Sequence, residues 1–91
     1  MMTKYGKISQ LEPGLVDREL FSLLIEISSI RSGKVICALE GYFVYGISRK
    51  DICTKYNVNP GYLSLKIREV QSISASVFRL LPFYFDKIMS S

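Results

Sequence analysis

A chain of 91 residues, 48% of them hydrophobic, with a mean hydropathy of +0.21, builds one domain with a thin core. It leaves no room for a second domain and is too apolar for disorder. The net charge of +4 lies wholly in the second half, since residues 1–46 hold five bases and five acids while residues 47–91 hold seven bases and three acids; such local basicity favours a polyanionic partner. With no histidine and only Cys37 and Cys53 there is no four-ligand metal set, no cofactor or small-molecule site and no general acid-base or nucleophilic pair, so an enzyme is not expected.

In chain order, residues 1–15 lack periodicity and contain the turn Glu12-Pro13-Gly14, which predicts an irregular N-terminal arm ordered in part by docking. A single helical domain follows over residues 16–91. Its first helix starts at the cap Asp17, with Glu19 in the positive first turn. Leu20, Leu23, Leu24, Ile27 and Ile30 recur at helical spacing, and Phe21 and Ile25 widen the stripe into a largely buried helix. Ser32 caps a second helix with Val35, Ile36, Leu39, Tyr42 and Phe43 as its apolar stripe. Gly46 stands at its left-handed end, Ile47 folds back, and Gly41 marks a close approach. Cys37 and Cys53 are both expected as buried thiols.

Ser48 opens a third, short helix in which Asp51 completes a capping box and Ile52, Cys53 and Tyr56 face inward. Asn57 suits the left-handed residue of a tight turn, Val58 plugs it, Asn59 caps, and Pro60 fits the first position of a fourth helix carrying Leu63, Ile67 and Val70 inward. Residues 48–71 therefore have the parts of a helix-turn-helix within an all-α fold of four to five helices. Ser74, Val77, Phe78 and Leu81 extend the stripe, a break near 72–76 is allowed, and Pro82 ends the helix or starts another.

The 100° per residue rule turns Gly61, Ser64, Leu65, Arg68 and Ser72 outward. Arg68 is the one strong base or phosphate reader among them, while Tyr62 and Lys66 lie on the flanks with Lys66 suited to phosphate. Arg49, Lys50 and Lys55 on the supporting helix grip the backbone, and free amides near Asn59 add an anion site. So sparse a polar readout implies modest selectivity per subunit and affinity dominated by phosphates. Phe78, Leu81, Phe83, Phe85 and Ile88, in the apolar segment 72–89, either pack on their own domain or join subunits of an oligomer.

The most distinctive stretches are SSIRSGKVICAL at 28–39, GISRKDIC at 46–53 and VNPGYLS at 58–64. With them, the segment from about Pro13 to Tyr84 resembles the PapB-type fimbrial operon regulators, the adhesin biosynthesis transcription regulatory proteins. The resemblance implies a cytoplasmic regulator of pilus or adhesin operons that acts as an oligomer on A·T-rich double-stranded DNA, with its helix-turn-helix on Ser48 to Gln71. Composition agrees with a cytoplasmic, reduced setting, since no signal peptide and no membrane span is readable. The competing reading is a protein-interaction module that docks another regulator, with DNA contact secondary.

Overall fold

The computed structural model describes residues 10–90, with side chains to residue 87. Among the described residues there are four helices and no strand: α1 (Arg18–Ile27), α2 (Gly33–Phe43), α3 (Arg49–Tyr56) and α4 (Pro60–Ser90). Local chemistry sets the boundaries. Asp17 Oδ1 accepts from the amides of Glu19 and Leu20, Ser32 Oγ from Val35, and Ser48 Oγ from Asp51, each satisfying an orphan donor of a first turn. The capping box at Ser48 forms only on one side, because the return bond from the Asp51 carboxylate is absent among the described residues; aspartate is one methylene shorter than the glutamate that usually makes it.

Asn57 ends α3 in the left-handed conformation at φ 54° and ψ 54°. Val58 is buried in the three-residue turn, and Asn59 Oδ1 accepts from Gly61 and Tyr62 to start α4 at Pro60. The amides expected as an anion site near Asn59 are thus already satisfied by the side chain of Asn59 itself, and that site is closed.

One core fills the space between the helices: Phe21 and Leu24 from α1, Ala38, Leu39 and Phe43 from α2, Ile52 from α3, and Leu63, Ile67 and Val70 from α4. Phe21 and Phe43 meet ring to ring at 6.3 Å between centroids. Two expectations change here. On α1 the inward face is Phe21, Leu24, Ile25 and Ser28, whereas Leu20, Leu23 (52% exposed) and Ile27 (62% exposed) face outward. A helix apolar on nearly every side gives periodicity no preferred face, and Phe43 selects one. Cys37 is exposed and Cys53 half-buried, because the buried stripe of α2 is Val35, Ala38, Leu39 and Phe43, and 100° per residue puts position 37 on the opposite side.

The arm from Leu11 to Val16 docks on the C-terminal end of α2. The amide of Gly14 donates to the carbonyls of Tyr42 (3.2 Å) and Phe43 (2.9 Å), and the amide of Val16 donates to Phe43 at 3.1 Å. Gly14 (φ +79°) lies against Gly46 (φ +70°), so that a Cβ on Gly14 would come within 3.0 Å of Gly46 Cα. Gly14→Ala is expected to cost about 1–2 kcal/mol from the left-handed backbone alone, read as a fall in Tm of roughly 4–8 °C per kcal/mol in thermal unfolding by circular dichroism. An unchanged Tm would mean the arm does not contribute to the fold.

The helix α4 runs unbroken through residues 72–76 and past Pro82 for 31 residues, about 46 Å at 1.5 Å per residue, against a longest molecular extent of 49 Å. Proline removes one backbone bond, but a helix already propagated from a packed segment continues beyond it. The outer third of α4 leaves the core: Leu80, Leu81, Phe83, Tyr84 and Phe85 are exposed, and Phe78 is half-buried. Packing on its own domain, one of the two sequence readings, therefore fails for Leu81, Phe83 and Phe85; the side chain of Ile88 lies outside the described residues. No helix of the described residues is long and apolar enough to cross a membrane.

Candidate nucleic-acid interface

Lys66 stands on one flank of α4, and Arg49, Lys50 and Arg68 on the other. Lys66 is committed within the fold: its Nζ pairs with Glu69 at 3.2 Å and lies 5.4 Å from the centroid of the Tyr62 ring. Ser29 also donates to Glu69, at 3.4 Å, so this flank faces the end of α1. Tyr62, beside Lys66 on this flank, and Leu65 are both exposed.

On the other flank α3 presents Arg49. Its guanidinium donates to Ser64 Oγ at 2.8 Å and lies 5.5 Å from the centroid of the Tyr42 ring, so three helices hold it in place without neutralising it. No carboxylate pairs with Arg49, Lys50 or Arg68 among the described residues, and all three are exposed. Two open cavities meet at Arg49 and Ser64. One, of about 510 Å³, runs between α3 and the first turns of α4, lined by Lys50, Cys53, Thr54 and Pro60. The other, of about 500 Å³, lies between α4 and the arm, where Arg68, Gln71, Gln10 and Glu12 line it. Together they form a concave strip centred on Arg49 that carries three cations, Arg49, Lys50 and Arg68, against one carboxylate, Glu12, and a guanidinium held in place on such a strip suits phosphate or base edges.

The structure therefore brings together Arg49, Lys50, Ser64 and Arg68 from the sequence-selected residues. It separates from them Lys66 and Tyr62, turned to the other flank, and Asn59, occupied as a cap. Lys55 sits over the Tyr56 ring at 5.4 Å on the last turn of α3. Ser64 is half-buried beneath Arg49 instead of fully outward. Tyr42 and Gln71 belong to the strip although no spacing selects them: Tyr42 sits in the apolar stripe of α2 and reads as core, where it meets Phe43 edge to face at 4.9 Å. Gln71 carries no legible signal either, because a glutamine beside the buried Val70 can equally face solvent.

A sequence-family model described as adhesin biosynthesis transcription regulatory protein matches residues 1–84. The chain is 59% identical over 71 residues to the regulatory protein FanB of Escherichia coli, covering 78% of this chain and 72% of that protein. It is 44% identical over 79 residues to the major pilus subunit operon regulatory protein PapB of Escherichia coli, covering 87% and 76%. The crystal structure of Escherichia coli FocB superposes with a TM-score of 0.78 at 43% identity, covering 91% of this chain and 93% of that one.

Proposed function

Because the chain belongs to the adhesin biosynthesis transcription regulatory proteins, a family of transcription regulators and not of enzymes, we propose that it controls a fimbrial or adhesin operon in the cytoplasm by binding A·T-rich upstream DNA as an oligomer. The observation that carries this reading is Arg49, a charged group pinned by Ser64 and Tyr42 at the centre of a strip that also holds Lys50 and Arg68. A guanidinium held in place without a carboxylate partner, as at Arg49, avoids the side-chain ordering that weakens exposed ionic contacts. Direct base readout stays sparse, so phosphates dominate affinity and several subunits act together.

The test is a titration of an A·T-rich and a mixed-sequence duplex over a series of salt concentrations. Binding whose log affinity falls linearly with log salt supports the proposal. A salt-independent association, or capture of protein partners without DNA binding, favours the interaction module that the exposed end of α4 also suits. Lys66→Ala is the internal control. Its charge is already met by Glu69, so the salt slope is expected to drop by clearly less than the roughly one ion that a free phosphate contact supplies. A full unit would mean that Lys66 leaves Glu69 for DNA.

A further inference from the structure

One carboxylate, Glu12, stands on the wall of the cavity that Arg49 and Arg68 line, and the fold pins its backbone there from both sides. Before it, Gln71 holds both backbone groups of Leu11: Oε1 accepts from the Leu11 amide at 2.9 Å and Nε2 donates to the Leu11 carbonyl at 2.9 Å. Leu11 is half-buried against the core, so breaking this tie leaves polar groups unpaired where water reaches them poorly. After it, Pro13 has its φ set by its ring, and the Gly14 amide donates to the carbonyls of Tyr42 and Phe43. The carbonyl of Glu12 itself accepts from the Leu15 amide at 3.0 Å and closes the turn.

The side chain of Glu12 is exposed and pairs with no cation among the described residues. Arg49 is held instead by Ser64 and Tyr42, so the charge of Glu12 is not cancelled in an ion pair and acts on whatever enters the cavity. A compact cavity of about 500 Å³ is of order 10 Å across, close to the Debye length of about 10 Å at 0.1 M salt. A phosphate seated on Arg49 or Arg68 therefore feels Glu12 across the cavity.

We propose that Glu12 is a counter-charge that limits the grip of the strip on DNA phosphates, and that Gln71 is its positioning residue. The inference rests on the DNA-binding reading above and adds the residue that sets how tightly one subunit holds the backbone. Repulsion from Glu12 weakens every duplex alike, because the phosphate is the same at every base step. It leaves occupancy to depend on several subunits bound together.

The experiment titrates the full chain with an A·T-rich and a mixed-sequence duplex, at low salt and again at higher salt. Glu12→Gln, nearly isosteric but neutral, is expected to tighten binding to both by about two- to fifteenfold at low salt. That range is the repulsion of two unit charges about 10 Å apart, taken between the dielectric of water and that of a protein surface. The gain fades as salt is raised. A variant that merely disturbs the fold loses affinity, so a gain separates the two causes. Glu26→Gln makes the same change in net charge at an exposed position of α1 outside the cavity and is expected to bind like the parent. Gln71→Met, similar in volume but unable to form the tie, frees the arm at Leu11, so adding Glu12→Gln to it is expected to tighten binding by less than in the parent. Gln71→Ala, a strong helix former, takes its place should that variant fold poorly.

Unchanged or weaker binding by Glu12→Gln overturns the counter-charge, and so does an equal gain for Glu26→Gln, which would reflect net charge alone. A gain confined to one duplex overturns it as well, because Glu12 would then face a base edge. An equal gain from Glu12→Gln with and without the Gln71 substitution overturns the role of Gln71. Failure of the parent and Glu12→Gln alike to bind either duplex removes the DNA reading instead, and the inference with it.

Discussion

Arg49→Ala is expected to weaken binding to an A·T-rich duplex by about 30- to 150-fold, the equivalent of about 2–3 kcal/mol for a charge-assisted contact, with helical content unchanged. The side chain is exposed and its polar contacts among the described residues are to Ser64 Oγ and the face of Tyr42, so its loss leaves no fully buried partner unpaired. Arg68→Ala is expected to cost about 1–3 kcal/mol, the range for a good polar contact to a base edge. Combining the two shows whether they share one ligand. Arg49 and Arg68 line the same cavity, so a double variant that loses less than the sum of the single effects indicates contact with a common phosphate or base step. Matched-salt fluorescence titration of all four proteins is the measurement. Parent-like affinity for Arg49→Ala would move the interface off this strip.

Replacing Phe83 and Phe85 together by glutamate is expected to dissociate the proposed oligomer in light scattering, to leave circular dichroism helical, and to weaken DNA binding with Arg49 and Arg68 intact. Phe83 is 71% exposed, and Leu80, Leu81, Tyr84 and Phe85 are exposed around it. An exposed cluster of large apolar side chains marks an interaction surface, and its burial contributes roughly 1.5–3 kcal/mol per large side chain. A second copy is the proposed partner, because a subunit with few base contacts gains affinity when a neighbour bound to the same DNA raises its effective concentration. Oligomers that survive both substitutions would place the interface on the other exposed apolar face, Leu20, Leu23 and Ile27 of α1. Outright unfolding would mean that the outer part of α4 supports its own core.

Short-range chemistry accounts for what is legible without coordinates. The caps at Asp17, Ser32, Ser48 and Asn59, the left-handed Asn57, the glycine turn at Gly46 and the buried triad Leu63, Ile67 and Val70 all appear where the sequence predicts them. Each depends on a side chain bonding to a backbone a few residues away, or on a 3.6-residue period with polar neighbours to orient it. Arg49, Lys50, Ser64 and Arg68 were legible as candidates for the same reason, since each lies on a helix whose inward face is unambiguous.

The sequence by itself thus determined an all-helical chain, the starts of its helices, the turn between α3 and α4 and the side on which the basic residues of α4 stand. Only the tertiary structure decided which face of α1 meets Phe43, that Cys37 points outward, that Glu69 claims Lys66, that Ser64 and Tyr42 hold Arg49, and that Gln71 ties Leu11 across sixty residues. The reason is the range of the forces. Caps and turns are settled by bonds within one helical turn, whereas the choice among several apolar faces, or among several partners for one cation, is settled by whichever distant group the packed core brings within contact.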